Sequence, residues 1–354
     1  MNYRPRAASF LCVMAVTSCT TMPSAGAETL YALDNATVLQ SSDTSWDYMK
    51  LDPKTKRLFI ARRSDGLTVF DTTSNTVVAT VENSAGANGP LILDEFNRGY
   101  VAMTDGSLLS FDLKTLDVID RRMLATDGGL NGVVYDPASR RIHAVTGSRP
   151  EKATWFTLDP ATGELLDTKA FPFKKMDDPA PDGKGALYAP ARYDNLILKL
   201  DSNTLAELDR WDIACNQVVA VEYQHHTDRL LVGCRGDKPV FIALDASTGT
   251  EIARIPIGKG IDGMAVDEER HRIVTSNGWD ATLTVIEQEG ADTFRLLGNV
   301  QTRLQARVLQ LDADSGNLYT VTADATFHAP GPDGSTPDPT FHDNTFTVLT
   351  YSYE

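Results

Sequence analysis

Short apolar runs that end on an acidic or amide turn residue recur along this 354-residue chain at a nearly constant interval. They read MKLDP, LILDE, VVYDP, PAPDGKG, VEYQ, MAVDEE and LQLDAD, with turn positions at Asp52, Asp94, Asp136, Asp182, Gln224, Asp267 and Asp312. Successive spacings are 42, 42, 46, 42, 43 and 45 residues. A second series trails the first: TVFD at Asp71, LSFD at Asp112, FTLD at Asp159, LKLD at Asp201, IALD at Asp245 and TVIE at Glu287. No helical period is sustained between these landmarks. A unit this short cannot bury its apolar face alone and must stack on its own copies.

Each repeat reads as four short strands. In the first they are DYMKL, RLFIAR, LTVF and TVVATV, separated by polar turns. The turn aspartates are read as structural, because an Asp carboxylate accepts a backbone N–H two residues on and fixes a strand-to-strand turn. Four antiparallel strands per repeat, arranged radially, predict an all-β, seven-bladed β-propeller. The seventh repeat reaches its third strand, TFTVLTY, and the chain stops at Glu354. A spare strand-like segment, TLYALDNATVLQ, precedes the first repeat. Pairing the two would close the ring and remove an open sheet edge.

Several longer segments carry a resemblance: WDYMKLDPKTKRLFIAR, DGKGALY, the Cys215/Cys234 repeat, GKGIDGMAVD, SNGWDATLTVI and ARVLQLDADSGNLY. Across residues 44–354 the chain resembles the YVTN-type (YncE-like) bacterial β-propeller repeat family, exported seven-bladed proteins. The tetrapeptide behind that name survives here only as YTVTA at Tyr319–Ala323. The resemblance implies the fold and the export. It implies no common reaction, cofactor or catalytic residue set.

The N-terminus reads as a targeting segment. Arg4 and Arg6 precede the apolar stretch AASFLCVMAV, which is too short to span a bilayer. Two exits compete: a signal peptide of residues 1–27 ending in AGA, or a lipoprotein signal of residues 1–18 with Cys19 lipidated in VTSC. Either route places a single domain, residues 28–354, in the periplasm or at the outer membrane of a bacterium, with no transmembrane segment in the mature chain. The folded domain then retains only Cys215 and Cys234, in a compartment where disulfides persist. A net charge of −15 argues against nucleic acid, which requires clustered Lys and Arg. A monomer is expected.

The stretch CNQVVAVEYQHHTDRLLVGC, residues 215–234, resembles a Cys/His metal site at first sight. The repeat alignment places Asn216–Tyr223 on the innermost strand of the fifth repeat and Arg229–Cys234 on its neighbour. Both cysteines then stand at one end of a hairpin, with His225 and His226 in the turn at the other. Seven residues of strand separate the pairs by roughly 20 Å, so no single ion spans them. The expectation is a Cys215–Cys234 disulfide.

In a propeller the start of the innermost strand and the end of the second lie on one face, here called the top. Candidate ligand-binding residues at the channel mouth are therefore Trp46, Asp47, Arg62, Asn131, Asp262, Asn277, Trp279 and Arg307, although Trp46 is better suited to blade packing. Converging Arg and Asp could orient an anionic or hydroxylated ligand. The Pro/Gly-rich insertion 326–344 should overlie the same face. His328, His342, Asp338 and Asp343 lie in it but show no recognised metal-ligand spacing.

No G-x-S-x-G, Gly-rich phosphate loop, H-E-x-x-H, paired-Cys zinc motif or C-x-x-C-H is present. No cofactor and no catalytic residue is assigned. The leading reading is a non-enzymatic binding or scaffold propeller that presents its top face to a small ligand or a protein partner. Two alternatives accompany it. One is a hydrolase or lactonase with a divalent cation in the channel, for which Asp47, Asn131 and Asp262 would be donors. The other is an accessory subunit of an exported redox enzyme.

Overall fold

The computed structural model describes residues 30–329 and 337–353. The expected leader with its two alternative exits, Cys19 included, and the middle of the insertion lie outside the described residues. Seven four-stranded antiparallel sheets form seven blades. Blade one consists of Trp46–Asp52, Arg57–Arg62, Gly66–Asp71 and Thr76–Thr80. Its two middle strands are buried almost throughout, while the outermost is mostly exposed. Middle strands are covered on both faces by neighbouring blades, which is why they read as unbroken apolar runs rather than alternating ones.

The core is segmented in the same way. Seven apolar clusters each join two adjacent blades. Phe59, Val69, Val101 and Phe111 join blades one and two, and Trp46, Phe70, Tyr319 and Phe346 join blades seven and one. Burying such aromatic surface supplies most of the driving force for stacking, at about 25 cal/mol per Å².

Ring closure is as the repeat count requires. Blade seven is built from Leu309–Leu311, Leu318–Thr322, Thr347–Ser352 and the N-terminal strand Ala32–Val38. The last pairs antiparallel with the third, from Ala32 opposite Ser352 to Val38 opposite Thr347. Blade four departs from the others: its innermost strand is only Ala180–Pro181. Pro179 and Pro181 supply no N–H for the ladder, so the strand is cut to two residues.

The turn aspartates are structural. Asp71 Oδ1 accepts the N–H groups of Thr73 and Ser74 at 2.8 Å each. Asp112, Asp159, Asp201 and Asp245 repeat this arrangement one blade after another. Hydrogen bonds to the charged form hold Asp71 and Asp201 below the usual carboxylate range.

Cys215 and Cys234 are bonded at the top end of the blade-five hairpin, Cα atoms 6.2 Å apart. The innermost strand there runs Val218–Gln224, beginning two residues later than the sequence suggests. His225 and His226 occupy the bottom turn, where both engage Glu268 of blade six.

Candidate functional site at the channel mouth

The mouth is made by a repeated irregularity. In blades one, two, three, five and six the ladder between the first two strands shifts register at the top of the innermost strand. The extra residues there include Asp47, Asn88, Asn131, Val219 and Asp262. A bulge bends the strand and re-aims a side chain that would otherwise follow the pleat. Four of these five residues are polar, and Asp47, Asn131 and Asp262 turn onto a cavity of about 620 Å³ at the top of the channel.

A second repeated position faces them. The residue just after the second strand is Arg63 in blade one, Arg192 in blade four and Arg235 in blade five. All three line the cavity, together with Lys175 and Arg307. Three guanidinium groups from blades four, five and seven converge on Asp262. Arg307 Nε lies 3.2 Å from Oδ2, Arg192 Nη2 lies 4.0 Å from Oδ1, and Arg235 makes a closer pair with Oδ1. Arg192 is also held bidentately by buried Asp177, at 2.6 and 2.8 Å. Arg63 reaches Asp47 at 2.9 Å and donates to Asn88 at 3.0 Å.

Asn131 ties the cluster to the channel below. Its amide donates to Tyr48 Oη at 3.1 Å and to Asp178 at 3.4 Å, and its Oδ1 accepts from Lys175 at 3.1 Å. Asp178 lies against Gly132, where any Cβ would stand 2.1 Å from both carboxylate oxygens. Glycine at 132 is therefore what admits that carboxylate to the channel wall.

The carboxylates here are not equivalent. Burial alone would raise Asp262, but Arg235, Arg307 and Arg192 outweigh it and hold the group below its ordinary range. Asp47 is pushed upward by burial and by the charge of Asp262, which Arg307 and Arg63 only partly offset. Asp178 is pushed up to about 7 by burial and by neighbouring Asp177, against the hydrogen bond from Asn131. Inside the mouth, five cations thus face three carboxylates, Asp47, Asp177 and Asp262, with Asp178 ionising only near neutrality. Asp43 and Asp338 lie exposed at the lip, where water screens them. The mouth is a locally cationic well in an acidic protein.

Of the residues expected from sequence, Asp47, Asn131, Asp262, Trp279 and Arg307 line this well. Trp46 does not: it is fully buried, packed on Phe341 and Phe346 with ring centroids 4.7 and 5.4 Å away. Its carbonyl accepts from Arg307, so it contributes backbone to the wall. Arg62 points away from the well, donating to the Gln40 carbonyl at 2.9 Å, pairing with Asp65 and covering the Phe346 ring. Asn277 is buried beside Thr275 and Thr284. Sequence reasoning missed Arg63, Lys175, Arg192 and Arg235. The signal was an Arg at one fixed repeat offset, one residue beyond Arg62, and successive strand residues point to opposite sides.

The described part of the insertion lies at the top face. Between the second and third strands of blade seven it forms a small ladder, Ala325–Thr326 with Thr340–Phe341. Residues 338–341 form part of the mouth wall. His328 and His342 bond Thr340 and Thr326 respectively, across that ladder, rather than meeting at one point.

The donor set at the mouth does not fit a divalent cation. The Asp262 carboxylate is occupied by guanidinium groups, and Asn131 Oδ1 accepts from an ammonium. Among the described residues no three His, Cys, Asp or Glu side chains gather in metal-binding geometry.

No family model matches this chain, and no curated protein sequence does. Solved structures do match in fold. The WD40 repeats of RRP9 superpose with a TM-score of 0.72 at 9% identity, covering 91% of this chain and 99% of that one. The β-propeller domain of Cps50 (Swd1) from Myceliophteria thermophila gives 0.69 at 10%, covering 92% and 100%. A chain of the Kuenenia stuttgartiensis hydrazine synthase gives 0.66 at 14%, covering 80% and 94%. At such identities the likeness shows the propeller scaffold alone.

Proposed function

We propose that this chain is an exported, non-catalytic binding propeller whose channel mouth receives an anionic group, a carboxylate or a phosphate. The observation that carries the reading is the imbalance inside the well: Arg63, Lys175, Arg192, Arg235 and Arg307 exceed the carboxylates that neutralise them. Arginines that only tie blades together need one partner each. Here Arg192, Arg235 and Arg307 share Asp262, with Asp177 as the one further carboxylate, so one positive charge among the three is left over for a negative guest. Enclosure on the channel axis strengthens each pairing relative to open water.

Export is part of the same proposal, supported by the leader pattern and by the Cys215–Cys234 bond. Membership of the YVTN-type family rests on the quoted segments and the seven-bladed ring. WD40 repeat propellers are structural neighbours, and one match belongs to a mitotic checkpoint complex. That likeness fits a scaffold that presents one face to a partner.

Calorimetric titration with glutarate and with inorganic phosphate tests the reading. Saturable binding is expected at low ionic strength, weakening as salt rises and lost in Arg235→Gln/Arg307→Gln, which removes two positive charges and with them the excess over Asp47, Asp177 and Asp262. Failure of every anion to bind the wild-type protein at low salt would overturn it.

A further inference from the structure

The two faces of the ring differ in what they expose. Among the described residues, most exposed large apolar side chains sit on the outermost strands, as Val77, Ile119 and Leu165 do. Four do not: Tyr193, Trp279, Leu304 and Phe327, each at least half exposed. Every one of these belongs to the top face. Tyr193 and Trp279 follow the second strands of blades four and six, and Leu304 lies between blades six and seven. Phe327 stands on the insertion ladder. Among the described residues no bottom turn carries an equivalent.

Exposed aromatic rings cost free energy in water and are enriched where a protein partner covers them, most of all beside arginine. Trp279 links the two features, since the Arg235 guanidinium lies 5.7 Å from its ring while also pairing with Asp262 in the well. A free phosphate or small carboxylate would use the well and leave the rim wet. The rim runs from blade four to the insertion of blade seven, which is wider than a small anion can touch. A guest that uses both must carry apolar groups on either side of a negative charge.

We propose that the top face is a docking surface for an acidic segment of another protein. An Asp or Glu of that segment enters the cationic well, and flanking apolar residues pack on Trp279, Phe327, Leu304 and Tyr193. This rests on the anion-receptive mouth argued above and names its partner class. Charge complementarity selects the partner: the chain as a whole carries −15, which disfavours an acidic segment in general, while the cationic well at the mouth favours it.

The test is selection of a random twelve-residue peptide display library on the full mature protein. Two variants serve as counter-screens: Arg235→Gln/Arg307→Gln in the well, and Trp279→Ala/Phe327→Ala on the rim. Thermal melts establish that both fold. The expected result is an enriched acidic consensus with apolar flanks, whose synthetic peptide loses about tenfold or more in affinity on each variant. Neutral or basic consensus sequences, or acidic ones indifferent to the rim variant, would overturn the inference. Glutarate and phosphate are titrated in parallel. Anion binding that is sensitive to the well variant, without a rim-dependent peptide, overturns the docking surface and leaves the anion site standing. Loss of both overturns the two together.

Discussion

His143 lies on the second strand of blade three, beside Trp155 with ring centroids 6.2 Å apart. Burial holds its imidazole down to about 4. The folded state therefore resists a proton that the unfolded chain accepts near 6.5. Stability from the neutral form is complete above that value and is lost as pH falls from about 6.5 to about 4, by roughly 3 kcal/mol at the lower end. His143→Leu should flatten the dependence of the melting temperature on pH across that window; an unchanged slope would show that other groups govern it. Asp178 behaves in the opposite sense. Its folded value of about 7 lies above the ordinary value of 3.8. The protonated form thus favours folding, and stability is lost as pH rises from 3.8 to about 7. Asp178→Asn keeps the shape, and we expect it to raise the melting temperature at pH 8 with little effect at pH 4, measured by calorimetry.

The element scale separates what could be read in advance from what could not. Strand periodicity and turn chemistry place nearly every strand, because an Asx turn is encoded by the turn residues themselves. Blade four misled only in length, since its prolines punctuate a strand whose landmark, Asp182, is otherwise in register. The site was half legible. Asp47, Asn131 and Asp262 follow from the repeat alignment, yet it is the bulge that aims them, and a bulge leaves no signature in composition. The same one-residue geometry put Arg62 on the candidate roster instead of Arg63. Closure gives a further prediction. Removing residues through Gln40 would leave the edge of Thr347–Ser352 unpaired. The shortened protein should melt earlier and self-associate in light scattering, as an open strand edge invites pairing. A monomer of unchanged stability would contradict the closure. Replacing both Cys215 and Cys234 by Ser should cost about 2–4 kcal/mol in a reversible denaturant melt, because the bond closes a loop of 19 residues.

At the scale of the whole molecule, a rigid ring of seven blades brings side chains far apart in sequence onto one axis. Residues 47, 131, 175, 192, 235, 262 and 307 share a mouth only because each blade brings the top of its innermost strand, the end of its second strand and its linking loop to the channel. The acidic net charge and the cationic well are of opposite sign, so attraction for a negative group is concentrated at the mouth. The central claim is that this well is where a negative group is held. Anomalous diffraction from crystals soaked in selenate at low ionic strength tests it most directly. The account predicts a selenium peak in the mouth, with selenate oxygens within hydrogen-bonding distance of Arg235 and Arg307 or of Lys175 and Arg63, absent from Arg235→Gln/Arg307→Gln crystals. Selenate found only on outer-strand lysines and arginines, with the mouth empty, would contradict it.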